Sequence, residues 1–281
     1  GVTRDEKHWD NIKAHANKGD YIFVQYGYND HSVDTHISGL EKYYDFAKEN
    51  DIKLVIISQT DRRNTNVNWD STNKKWTASM SGYASADKKF VDDKIAEGAT
   101  GIAYVDLNTP YVEWMNTVGN TIFEQRKKAG FDDTGISNLA MNYYYMASRA
   151  EGIDTVHIND YGADRAAYII AQQIKDTVEK GDTSNATDNE KIQADTLRPL
   201  KENMTDYKPS EVSDETVAKG WAINDEYPNA FAGDVVYDYP TIIKAAELDN
   251  NVLKNITVKI QQESLPKYAI GCVDILNSDG T

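Results

Sequence analysis

Cysteine occurs once, at Cys272, in a chain of 281 residues. An intramolecular disulfide needs two thiols and a thiolate zinc site needs several, so both are excluded. Histidine is also scarce. His8, His15, His31 and His36 lie near the start, and His157 stands alone far downstream. No two of them have the His-x-x-x-His spacing that aims two ring nitrogens at one metal from a helix face. No metal and no other cofactor is expected. Apolar runs are short, and none reaches the roughly 18 residues that a helical membrane span needs. The first residues carry no apolar leader, so any such segment is expected upstream or already removed. Basic residues are outnumbered 30 to 45 by acidic ones, for a formal charge of −15. That balance lacks the basic footprint of a nucleic-acid binder and the cationic patch that docks on anionic lipid. Neither nucleic acid nor membrane is expected as a partner.

What is present fits a folded chain: 40% hydrophobic and 27% charged residues. The length allows one large domain or two. His8 to Asn17 reads as a short amphipathic helix with Trp9, Ile12 and Ala16 on one face. Apolar runs at Tyr21–Gln25, Ile52–Ile57 and Gly101–Val105 read as buried strands. Between them lie helical patterns. One starts at Ser32 or Asp34 and carries Ile37, Leu40, Tyr44 and Ala47. A second runs from Ser85 to Gly98 with Phe90, Val91 and Ile95 inward. Residues 58–80 are polar and read as a long loop. Further helices are expected at 109–127, at 137–150 and from Gly162 to Lys180. Strands alternating with helices imply parallel strands joined by right-handed crossovers, in a three-layer α/β/α domain over residues 1–180. Residues 181–220 read as a linker or extension. Strand signals return in 221–281, at Val235–Tyr237, Ile256–Ile260 and Tyr268–Leu276, and suggest a small β-rich module.

Two stretches carry chemistry. Gly27-Tyr28-Asn29-Asp30 follows the first strand. Ligands of parallel α/β sheets bind beyond the carboxyl ends of the strands, where an Asn29 amide can donate to a developing oxyanion and Gly27 lets the backbone turn. An Asx-turn that merely ends the strand is the plainer reading. Asp154-Thr155-Val156-His157 precedes a helix. A carboxylate three residues before an imidazole can orient it as a general base, although Asp-x-x-His alone also arises by chance. Arg62 and Arg63 can grip a carboxylate with paired donors, or simply be solvated. Tyr143, Tyr144 and Tyr145, with Met141 and Met146, read as core more than as a sugar platform.

In this order and spacing the two stretches resemble the SGNH (GDSL-type) hydrolases. QYGYND is similar to that family's Gly-x-Asn-Asp block, and DTVHINDYGA to its last block. The rhamnogalacturonan acetylesterase branch is the nearest in detail. The likeness lies in GDYIFVQYGYND, Arg62-Arg63 after the next strand, Asp106-Leu107 after a later one, and the pattern D-x-x-H-x-N-x-x-G-A. It spans about residues 8–178. The resemblance implies a flavodoxin-like parallel sheet and a serine ester hydrolase. Asn29 would be its oxyanion donor, supported by Gly27, with Asp154 and His157 its triad members. It implies acetylated polysaccharide or oligosaccharide of the plant cell wall, such as pectin or rhamnogalacturonan, as the substrate. A secreted or cell-surface bacterial location follows.

The family's nucleophile is a serine in a Gly-Asp-Ser block, and no Gly-Asp-Ser occurs in this sequence. Gly181-Asp182-Thr183 follows a helix end and is no substitute. Ser32 and Ser58 lie near strand ends and are weak candidates. The serine is therefore expected in an upstream segment or another chain, together with the family's first strand, and this chain alone is expected to be inactive. The alternative is a non-catalytic carbohydrate-binding module or pseudo-enzyme on the same scaffold. An esterase of different substrate, such as a lipid esterase, is disfavoured by polar loops that offer no acyl groove.

Overall fold

Three short apolar runs become parallel strands in a computed structural model of the protein, which describes residues 6–62, 69–70, 72–73, 75–128, 130, 157–158 and 160–209. In chain order the described elements are α1 (Glu6–His15), β1 (Tyr21–Val24), α2 (Val33–Glu49), β2 (Lys53–Ile57), β3 (Trp69–Asp70) and β4 (Lys75–Trp76). They continue with α3 (Ser81–Ala96), β5 (Ile102–Val105), α4 (Asn108–Lys128), α5 (Asp160–Gly181) and α6 (Asp188–Glu202). The main sheet has the order β1-β2-β5 and is parallel throughout, with Val24 beside Ile56 and Ile57 beside Val105. This is an α/β fold.

β2 is central, and from Leu54 to Ile57 every residue is buried. A strand covered on both faces reads as a continuous apolar run rather than an alternating one. Its side chains still alternate in space. Leu54 and Ile56 join a cluster with Leu40, Tyr43 and Tyr44 of α2 and Phe90, Val91 and Ile95 of α3. Val55 and Ile57 join a second cluster with Tyr111 and Met115 of α4, Ile169, Ile174 and Val178 of α5, and Leu197 of α6. The two outer strands are finished differently. On β5 the outward Tyr104 amide donates to Gln193 Oε1 of α6 at 2.9 Å, so a helix covers that edge. Among the described residues β1 pairs only with β2, and Phe23 on it is 47% exposed.

Three local features depart from the sequence reading. The expected loop 58–80 contains the antiparallel pair β3–β4. Asp70 closes its turn: Oδ1 accepts from the Thr72 and Asn73 amides at 3.0 Å, and Oδ2 from Asn73 Nδ2 at 2.6 Å. α3 begins at Ser81, about one turn ahead of the start read from apolar spacing. In the span read as linker or extension, α6 forms behind a capping box in which Thr187 and Glu190 satisfy each other's backbone N–H. It then packs so closely on α5 that a Cβ on Gly181 would fall 2.3 Å from the Ala194 methyl. Asp182 pairs with Arg198 at 2.9 Å, so Gly181-Asp182-Thr183 is a helix end tied to α6. No helix among the described residues is long and apolar enough to cross a membrane. The expected helix at 137–150, with its tyrosines and methionines, and the expected β-rich module at 221–281 lie outside the described residues.

Candidate functional site

The carboxyl ends of β1, β2 and β5 lie side by side, and the segments leaving them form one polar network. The turn after β1 is closed by the Asp30 amide donating to the Gly27 carbonyl at 3.1 Å. Gly27 has φ +143°, and a Cβ there would sit 2.9 Å from Gln59 Nε2 and 3.1 Å from its Cδ. Gln59 is fully buried and cannot swing aside: its Nε2 donates to the Tyr26 carbonyl and, at 3.1 Å, to Asp87 Oδ2. Gly27 is thus required both by backbone conformation and by space. Gly27→Ala should lower stability by about 1–3 kcal/mol, measured by urea unfolding; an unchanged midpoint would refute this account of the turn. Asn29 sits exposed on this braced turn.

The segment after β2 forms the floor. Ser58, Gln59, Thr60 and Asp61 are all buried. Ser58 Oγ accepts from the Leu107 and Asn108 amides at 2.9 Å each and donates to Asp106 Oδ1 at 3.2 Å. It therefore caps α4 from a neighbouring strand end, satisfying N–H groups that a helix start leaves open. Asp61 does the same ahead of α3, whose own N-cap Met80 offers no side-chain cap. Asp61 Oδ1 accepts from the Ser79 amide at 3.0 Å, and Oδ2 from the Met80 amide at 3.1 Å. Above this floor the Tyr28 hydroxyl bonds to Thr60. Burial pushes the Tyr28 phenol well above its ordinary value, against the pull of its Thr60 bond, so it stays protonated. The Arg62 guanidinium lies over the Tyr28 ring, and its Nη2 donates to the Tyr28 carbonyl at 2.5 Å.

Behind the turn lies a second buried group. His36 on α2 is 1% exposed. Its Nδ1 is 2.9 Å from Asp30 Oδ2 and its Nε2 is 2.5 Å from Asp87 Oδ1. Tyr26 and Tyr83 meet the ring edge-on, with centroids at 4.9 and 5.4 Å, and the Tyr83 hydroxyl donates to the Asp30 carbonyl at 2.9 Å. Burial opposes charge on His36, but its bonds to Asp87 and Asp30 outweigh that, and its pKa lies above the ordinary 6.5. Burial likewise pushes the Asp87 carboxyl up, against the pull of His36 and Gln59. Both ring nitrogens are engaged, and no group of three or more His, Cys, Asp or Glu among the described residues is arranged to hold a metal ion.

Of the residues singled out from sequence, the structure gathers Gly27, Asn29 and Arg62 around one turn. Arg62 holds that turn through the Tyr28 carbonyl, a structural role the sequence reading did not foresee. His157 is exposed on a separate segment, the one before α5, with its neighbour Ile158 packed on the second core cluster. Asp154 and Arg63 lie outside the described residues. Ser32 caps α2, its Oγ accepting from the Thr35 amide at 3.2 Å, and Ser58 caps α4. Both hydroxyls have structural partners, and neither is presented as a nucleophile. Besides Ser58, the buried members of the network include His36, Gln59, Thr60, Asp61, Asp87 and Asn108, and sequence reasoning gave none of these six a role.

No protein-family model matches the chain, and a search of curated proteins returned no match.

Proposed function

We propose that the chain carries the oxyanion-donor and base parts of an SGNH-type carbohydrate esterase, which removes acetyl groups from plant cell-wall polysaccharide such as acetylated pectin or rhamnogalacturonan. The observation that carries this reading is Asn29, an exposed amide on a turn braced by Gly27, Gln59 and Arg62 beyond the carboxyl end of a parallel strand. A fixed donor at such a place stabilises developing charge better than a mobile one. In this reading a serine supplied from outside the 281 residues attacks the acetyl carbonyl. His157 takes its proton and passes it to the departing sugar oxygen as the ester C–O bond breaks, Asp154 orients the imidazole, and Asn29 donates to the oxyanion. Water then attacks the acyl-enzyme, with His157 again as base. Arg62 and Arg63 would meet a substrate carboxylate.

The same reading makes residues 1–180 a three-layer α/β/α domain, with α2 and α3 on one face of the sheet and α4 and α5 on the other. Residues 181–220 extend it through α6, and 221–281 form a β-rich module. The exposed Phe23 on the outer strand β1 suits a sheet that gains a further strand there. A polysaccharide substrate places the protein outside the cell or on its surface.

Acetate release from acetylated pectin by the full-length protein tests the reading. Asn29→Ala should lower kcat by about 10²-fold, and His157→Ala should also be impaired. Rates equal to wild type in both variants would reject these roles. A second reading, a non-catalytic carbohydrate-binding module, is favoured by the engagement of Ser32 and Ser58 in helix caps. Calorimetric binding of acetylated oligosaccharide without acetate release would select it.

A further inference from the structure

We propose that His36 is a proton-operated latch: its doubly protonated ring ties Asp30, and with it the turn carrying Asn29, to Asp87 on α3, and loss of a ring proton releases the turn. With both carboxylates ionised, the geometry demands two protons on the ring. Both ring nitrogens face carboxylate oxygens, at 2.9 Å from Asp30 and 2.5 Å from Asp87, and an ionised carboxylate only accepts. A neutral imidazole has one N–H. It can bond to one of the two carboxylates, and then turns a lone pair on the other.

The cluster is closed to rescue by other charges. Around the ring stand Asp30 from the turn, Asp87 and Tyr83 from α3, and Tyr26 from the end of β1, with Gln59 donating to Asp87. Tyr43 adjoins Tyr26 at 6.0 Å between ring centroids. Burial raises the Tyr26 and Tyr43 phenols, so neither gains charge near neutrality. Among the described residues no lysine or arginine pairs with Asp30 or Asp87. With the ring neutral, the weaker of the two attachments fails. Asp87 is fully buried and also held by Gln59, whereas Asp30 belongs to a surface turn, so Asp30 is the one released.

The latch does not depend on the esterase reading, because its readout is the turn and not turnover. The test is an NMR titration of the full-length protein from about pH 5.5 to 9, following the His36 ring and the Asn29 and Asp30 amides together. The ring should titrate with a midpoint above 6.5, and both amides should move with that same midpoint. Asp30→Asn supplies the control. Its carboxamide can donate to an unprotonated Nδ1 while Nε2–H serves Asp87, so in this variant the amides should lose the shared midpoint. A wild-type ring midpoint at or below 6.5, amides that titrate independently of the ring, or an Asp30→Asn variant that keeps the wild-type amide titration would each overturn the latch.

Discussion

Replacing His36 with alanine should remove about 3–5 kcal/mol of folding stability, the loss usual when one partner of a buried charge pair is deleted. The size follows from what remains. Asp87 is fully buried and its Oδ1 loses the imidazole it faces, while Asp30, at 9% side-chain exposure, loses the same ring on its other side. His36→Gln should recover part of the loss, since its amide restores one donor. Urea unfolding measures both, and a loss below about 1 kcal/mol for the alanine variant would show that the imidazole is not charged in the fold. The same change should alter the pH dependence of stability. His36 has a folded-state pKa above 6.5. Its contribution is therefore fully present below the unfolded value and is lost as pH rises through the folded one. The raised Asp87 carboxyl acts in the same sense at lower pH: the folded state binds its proton more tightly, so stability falls as pH climbs from the ordinary carboxylate value toward the folded one. The gap between wild type and His36→Ala should accordingly narrow on the alkaline side of 6.5.

The sequence makes the strands plain because burial on both sides of β2 leaves an uninterrupted run, Leu54 to Ile57, with no polar residue to blur it. Gly27 is also legible as a turn residue, since a glycine after such a run marks a turn, whereas Asn29 carries both the oxyanion and the Asx-turn readings. The hairpin β3–β4 is not legible, because its short strands carry no apolar alternation and its turn is held by one side chain, Asp70. α6 has a signal that apolar spacing overlooks: Thr187 and Glu190 stand three apart as a capping box, while Pro199 inside the helix weakens the pattern. The buried cluster is half legible. His36 lies one turn before Leu40, and Asp87 one turn before Phe90 and Val91, so each is a polar residue on an apolar stripe. That they meet, 51 residues apart, depends on how α2 and α3 pack on the sheet. Asp61 has no local signal at all. It is buried because donors from two distant helix starts converge on it.

Asp61→Ala should then cost on the order of 3 kcal/mol, since each buried donor left without a partner is worth about 1–3 kcal/mol. Asp61 is fully buried and accepts from the Arg62 amide at 2.7 Å, the Ser79 amide at 3.0 Å, the Met80 amide at 3.1 Å and Asn108 Nδ2 at 3.3 Å. Asn108 has a second acceptor, the Gln59 carbonyl at 3.0 Å, and so is not stranded by the change. The amides of Ser79 and Met80 are more exposed to the loss, because α3 begins at the next residue without a side-chain cap of its own. The damage should therefore be directional: the start of α3 frays, and Asp87, on the second turn of that helix, shifts away from His36. Asp61→Asn keeps one acceptor oxygen and should retain roughly half of the stability lost in the alanine variant. Urea unfolding gives the magnitudes, and amide exchange at Ser79 to Ala84 gives the location. Full stability in Asp61→Ala, or exchange at the start of α3 no faster than in wild type, would mean that α3 is held in place by its apolar contacts alone.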